Sequence, residues 1–374
     1  MDNLLLSGRY YLPADALVRR HIENSLSHTF DTRGYQEIVP PMLVGLGLAQ
    51  LGLGTHNGPD GACASCAVLT REGSLLTLRS DLTTPVAALA ARHLLSPGQP
   101  TRLFYSGSVF RAQRAESGKP EERRQVGAEL IGPTTVGAGA DEEILAMAAE
   151  GLVSTGLRDF CIGLSDAGLL CAMLDRAGAG EGKEELIRSA LAGRDYVLYG
   201  ELVSSLGSDA VRVVDLLKRL PDLHTGHEAL NALRTAGMGD AAYSLIRTLD
   251  ALAGRGLGHY FRVDLAIARE LDYYTGIVFE GYAPGCGSAV IGGGRYDSLL
   301  AKFGNPSPAA GFAIDVDSVA QALGPLWAAE ASGACETPCR TGCESDRGIE
   351  GGIGRWRRQA WSSAQAFEAV RSRH

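Results

Sequence analysis

The chain has 374 residues, 45% of them hydrophobic and 21% charged, enough to bury a sizeable core as one large domain with a smaller attachment. With 35 Lys and Arg against 43 Asp and Glu its net charge is −8, which argues against a surface that coats nucleic acid, though not against one local basic groove. The 48 glycines and 15 prolines follow no G-x-y period and form no low-complexity tract, so fibrous, disordered and disulfide-scaffold classes are excluded. No basic stretch precedes Leu4, Leu5 and Leu6, and no apolar run approaches the roughly 20 residues that span a bilayer. A cytoplasmic protein is expected.

Ala14, Leu17, Val18, Ile22, Leu26 and Phe30 have helical spacing and predict a helix over 13–33, ended by Gly34. Residues 35–43 read as a strand running into a break at Pro40 and Pro41. A Gly-rich loop near 52–61 and a hairpin follow, with 74–80 as its clearer strand; a helix then runs from Leu82 to Leu95, with Pro85 in its first turn. Strands at 102–110 and 123–132 flank a charged loop, Asp141, Glu142 and Glu143 open a helix over 141–155, and 159–166 is a strand. Residues 167–256 are helical almost throughout, punctuated by Gly193, Pro221, Gly226, Gly237 and Gly239. Strands return at 259–267, 273–282 and 287–292, and a helix at 295–303 leads to 311–317. This order predicts an α+β core, a mostly antiparallel sheet flanked by helices with a helical insertion. Neither a dinucleotide fingerprint nor a P-loop occurs.

Polar residues crowd several of these strands. Arg111 ends one, and Gln125, Gly127 and Glu129 share a face of the next, opposite Val126, Ala128 and Leu130. An exposed sheet face accounts for that pattern; so does a small amphoteric pocket in which the glycine leaves room for a ligand, Gln125 and Glu129 accept hydrogens from an amine or imidazole, and Arg111 offers a fork to a carboxylate or phosphate. Asp81 and Thr83 stand where a strand hands over to a helix, Asp81 also being a natural N-cap. Arg269, Asp272, Tyr273 and Tyr274 crowd one segment, and Gly292–Asp297 reads as a turn able to present backbone amides to an anion. Together these groups suit a zwitterionic amino acid. Cys63 and Cys66 have metal spacing without a second pair, and His224 and His227 read as a solvated helix start, so no metal is expected.

Residues 33–43, 78–89, 103–132, 268–280 and 292–304 with 309–315 resemble, in order and separation, the catalytic core of class II histidyl-tRNA synthetases; the likeness covers about 5–320. It implies a histidine site of Asp81, Thr83, Arg111, Gln125, Glu129, Arg269, Tyr273 and Tyr274, with Asp81 in a position usually held by Glu. The nucleotide half departs from that pattern. Gln113 replaces the motif 2 glutamate, Lys119 an arginine, Asp315 a glycine, and Ser318 the motif 3 arginine that braces ATP phosphates. Adenylation needs cations placed in advance; Ser318 supplies none, and Asp315 and Asp317 are expected to repel phosphate.

That combination resembles the regulatory subunits of ATP phosphoribosyltransferase, which implies a non-catalytic chain with no cofactor. Its implied partners are a short-form catalytic subunit in a hetero-octamer, a second copy as a dimer through the segment around Pro40 and Pro41, and L-histidine as ligand, with no nucleic acid and no membrane. The alternatives are a truncated histidyl-tRNA synthetase activating histidine with ATP, or another synthetase-like amino-acid-binding regulator. The expected division is a core over 1–320, with its insertion at about 167–256, and a tail over 321–374 in place of an anticodon-binding domain. The stretch 325–374 holds Trp327, Trp356 and Trp361, with Cys335, Cys339 and Cys343 and a helical pattern over 356–371.

Overall fold

The first helix shows how local signals set the scaffold. Pro13 opens α1 (Pro13–Thr32), where a missing N–H costs nothing, and Val18, Ile22, Leu26 and Phe30 bury one stripe of it. Gly34, at φ 79°, ends it, with Tyr35 N–H donating back to the Phe30 carbonyl at 3.0 Å. The computed structural model describes residues 10–53, 66–111, 120–132, 138–193, 195–206, 211–219, 226–267 and 274–331. Cys63, the 112–119 loop and the tail beyond 331, with its expected helix, lie outside the described residues, as do the side chains from 325 on.

Next come β1 (Gln36–Glu37), β2 (Leu43–Gly45), α2 (Leu46–Leu53), β3 (Ala67–Leu69), β4 (Leu75–Leu78) and α3 (Thr83–Leu89), which runs on as a π-helical turn, Ala90–Leu94. They are followed by β5 (Thr101–Phe110), β6 (Glu122–Ile131), α4 (Ala138–Ser154) and β7 (Cys161–Asp166). The insertion is helical as expected: α5 (Ala167–Arg176), α6 (Glu181–Ala192), α7 (Tyr196–Ser204), α8 (Val211–Arg219), α9 (Gly226–Thr235) and α10 (Gly239–Gly254). The chain then returns through β8 (Phe261–Val263), β9 (Ile277–Tyr282), β10 (Ile291–Arg295), β11 (Ala309–Asp315) and α11 (Val316–Ala331).

The main sheet has the order β1-β5-β6-β11-β10-β9-β7-β8. It is antiparallel from β5 through β7 and parallel only at its two ends, β1 with β5 and β7 with β8. One face packs on α1, α4 and the start of α11, where Phe30 meets Phe104 and Phe312 edge-on at 6.0 and 5.6 Å between ring centroids. The insertion closes a core of its own around Leu174, Ile187, Val203, Leu217 and Leu233. A small antiparallel sheet, β2-β4-β3, stands apart from the main one.

Several elements differ from expectation. The strand over 35–43 shrinks to two residues of β1, because Pro40 and Pro41 have no N–H for a ladder. Leu46–Leu53 forms a helix that the sequence reading missed, and 259–267 is strand only at β8, preceded by a 3-10 turn at Gly258–Tyr260. The helix over 295–303 is reduced to a 3-10 turn at Leu300–Phe303. The glycine run at 292–294 is no turn either. It lies inside β10, paired to β9 and β11 on both sides, so its amides belong to the ladder and are not offered to an anion. Glycine is required there: a side chain at Gly293 would overlap Phe312 and Phe279 on the helical face.

Candidate functional site

The strand alternation that sends Phe104, Val126, Ala128, Leu130 and Phe312 to the helices turns Tyr105, Gln125, Gly127, Glu129 and Gly311 to the other face of the sheet. Register aligns Leu103, Glu129, Gly311, Gly294 and Val278 in one row across five strands. The paired glycines let the Glu129 side chain lie flat over Gly311, and the Tyr274 ring rests on Gly294.

Glu129 is completely buried, and hydroxyl groups hold both of its oxygens. Thr83 donates to Oε1 at 2.7 Å, Tyr105 to the same oxygen at 3.0 Å, and Tyr296 to Oε2. Burial raises the Glu129 carboxyl to about 7, the three hydroxyls opposing it and Asp81 adding a smaller push upward. A carboxylate has about four lone-pair sites, and the three hydroxyls take three of them. The gap above Gly127 is not free space: the Tyr105 phenol fills it.

At the neighbouring corner, Asp81 Oδ1 accepts the Thr84 amide at 2.6 Å, so the capping role is real. Burial raises its carboxyl despite that bond and the positive charge of Arg111. Arg111 donates from Nε to the Ser80 carbonyl at 3.0 Å, which fixes the guanidinium beside Asp81. Gln125, half-buried, stands between Gly107 and Asp315 on the same face as Glu129. Asp81, Thr83, Arg111, Gln125, Glu129 and Tyr274 are therefore gathered on one side of the sheet, while Arg269 and Tyr273 lie outside the described residues. Tyr105 and Tyr296 were not anticipated: Tyr105 comes from β5, beside the strand that carries Glu129, and Tyr296 follows directly on β10.

The motif 3 end is built differently. Asp315 Oδ1 caps α11 through the Ser318 amide at 2.8 Å, and Oδ2 lies 3.5 Å from Arg123 Nη1. Ser318 is buried, with its hydroxyl 3.1 Å from that of Ser288. Asp317 accepts from the Tyr11 hydroxyl at 2.9 Å and lies 3.6 Å from Arg19 Nη1. The two aspartates are thus paired with arginines of the chain itself. On the far side of Gly294, Arg295 donates to Asp141 (2.8 Å from Nη2) and Asp297 (3.2 Å), and burial holds Asp141 at about 6. Among the described residues no group of His, Cys, Asp and Glu could hold a metal, and no helix is long and apolar enough to cross a membrane.

A mixed sheet of this order with helices on one face, and a buried carboxylate beside an arginine and a threonine on the other, defines a class II aminoacyl-tRNA synthetase-like core. The family model for histidyl-tRNA synthetase matches residues 9–319. ATP phosphoribosyltransferase regulatory subunits are similar, that of Moorella thermoacetica at 38% identity (86% of this chain, 82% of that one) and that of Desulforamulus reducens at 34% (84% and 77%). Among solved structures, the ATP phosphoribosyltransferase regulatory subunit/histidyl-tRNA synthetase of Bacillus halodurans superposes with a TM-score of 0.76 at 31% identity, covering 87% of this chain and 84% of that one. A histidine–tRNA ligase subunit from Alicyclobacillus acidocaldarius gives 0.71 at 28%, covering 85% and 96%. The chain belongs to the ATP phosphoribosyltransferase regulatory subunits, within the histidyl-tRNA synthetase family.

Proposed function

We propose that this chain is a non-catalytic regulatory subunit of ATP phosphoribosyltransferase, the first step of histidine biosynthesis, required by a short-form catalytic subunit and carrying its histidine feedback. It works in the cytoplasm, through the core over 1–320 and its insertion. The observation that carries this reading is the contrast between the two ends of this side of the sheet. The amino-acid end keeps Asp81, Thr83, Arg111, Gln125 and Glu129 together, while at the motif 3 end Ser318 is buried and Asp315 faces Arg123. In the bound state Glu129 takes a histidine ring N–H at its remaining acceptor position, Arg111 takes the carboxylate, and Asp81 with Thr83 takes the amine; Arg269, Tyr273 and Tyr274 complete the set.

A sensor needs only unequal affinity for two assembly states, and histidine then shifts the equilibrium by the ratio of those affinities. Self-association as a dimer within a hetero-octamer is supported by Val39, Met42, Leu43, Leu69 and Leu75, large apolar residues left exposed on the Pro40 segment and the small sheet. The test is calorimetric titration with L-histidine alongside histidine-dependent ATP–pyrophosphate exchange. Saturable binding with no exchange above background is expected; exchange at a rate that scales with the chain would establish an active synthetase and overturn the reading.

A further inference from the structure

Arg79 is a buried cation, 6% exposed, and no carboxylate among the described residues pairs with it. Its guanidinium is spent on two backbone carbonyls, Nε donating to Ser108 at 2.7 Å and Nη1 to Pro40 at 2.6 Å. Its own backbone closes the same junction: the Arg79 amide donates to the Met42 carbonyl at 3.0 Å, and the Phe110 amide to the Arg79 carbonyl at 2.9 Å. Nη2 lies over Gly107, where any side chain would overlap it. A guanidinium is costly to bury without a counter-ion, and burial lowers the Arg79 pKa, with Arg124 adding to the effect. A purely apolar residue would fill this space at less cost.

What Arg79 holds is the corner that carries the polar end of the site. The next residue, Ser80, gives its carbonyl to Arg111, and the one after, Asp81, caps α3 just ahead of Thr83. Arg111 follows directly on Phe110, which is bonded to Arg79. The segments bearing Asp81 and Arg111 therefore meet at one guanidinium, and a third, around Pro40, is tied to it. Glu129 is fixed from outside this corner by Tyr105 and Tyr296, in addition to Thr83.

We propose that Arg79 is a positioning residue of the amino-acid site, setting the placement of Arg111 for the ligand's carboxylate, while Asp81 is held by the Thr84 amide for the amine and Glu129 serves the imidazole. This rests on the reading of this side of the sheet as a histidine site. Lys at this position keeps the charge and loses the two-carbonyl fork. Gly107→Ala keeps Arg79 and pushes its fork aside, which covers the case in which Arg79→Lys fails to fold.

The probes are L-histidine and L-histidinol, which has the same ring and amine but an alcohol in place of the carboxylate, each titrated calorimetrically into the full chain, with melting temperature measured in parallel. In Arg79→Lys or Gly107→Ala, histidine affinity should fall about tenfold or more while histidinol affinity changes less than about threefold, since a displaced fork costs chiefly the charge-assisted carboxylate contact. Equal losses for both ligands, or no loss for either, would make Arg79 a residue of the fold alone and overturn the proposal with the histidine site intact. Failure of the unaltered chain to bind histidine would remove the site reading, and the proposal with it.

Discussion

Replacing Glu129 by Gln separates what this carboxylate does for the ligand from what it costs the fold. The folded-state pKa is raised to about 7 against an ordinary 4.5. In the native state the proton is therefore held up to about pH 7, whereas the unfolded chain releases it near 4.5. Stability associated with Glu129 is fully present below the unfolded value and is lost as pH rises between the two. At about 1.4 kcal/mol per pKa unit the loss across that window is about 3 kcal/mol. Gln is nearly isosteric and does not titrate; its carbonyl can serve Thr83 and Tyr105, and its NH2 can donate to the Tyr296 oxygen. Glu129→Gln should therefore be more stable than the unaltered chain at pH 8, by a few degrees of melting temperature, and no more stable at pH 5. At pH 8, where Glu129 is ionised, the same variant should bind histidine at least about tenfold more weakly, since the charged acceptor is gone. Thermal melts followed by circular dichroism across pH 5 to 8.5 give the difference curve, in which the other raised carboxyls cancel. Parallel curves for the two proteins over the whole range would refute the assignment of a raised Glu129 and the logic built on it.

Further outcomes follow from the packing and the ion pairs. Phe30→Ala, which empties a fully buried site touched by Phe104 and Phe312, should cost about 3–5 kcal/mol in a denaturant titration. Asp141→Asn takes from buried Arg295 the carboxylate 2.8 Å from its Nη2 and should cost about 2–4 kcal/mol by the same measurement. Gly311→Ala places a methyl group on the Glu129 carboxylate, so histidine binding by calorimetry should disappear even where the variant folds. Ser318→Arg should not confer ATP–pyrophosphate exchange, because the position is buried and Asp315 remains beside it.

The elements with strong periodicity were legible in the residues. The stripe from Val18 to Phe30, the alternation on β5 and β6, and the helical run from Ala167 to Gly254 each appear where the sequence places them. So did the company of Glu129: Thr83 and Glu129, 46 residues apart, share a hydrogen bond. The glycine strand β10 was not legible, because glycine carries no β propensity and its presence is explained only by Phe312, Phe279 and Tyr274 approaching from both faces. For the same reason Gly127 read as space for a ligand, whereas Tyr105 comes from the neighbouring strand to occupy it. Arg79 was invisible for a different reason: both of its side-chain partners are backbone carbonyls, which leave no trace in residue type.

The most direct measurement of the central claim is phosphoribosyl-ATP formation by a short-form ATP phosphoribosyltransferase catalytic subunit as this chain is titrated in, with and without L-histidine. The account predicts a rise in rate that saturates as the two chains assemble, and a fall on adding histidine that Glu129→Gln blunts without loss of assembly. A catalytic subunit whose rate is indifferent to this chain at any concentration, with and without histidine, would contradict it.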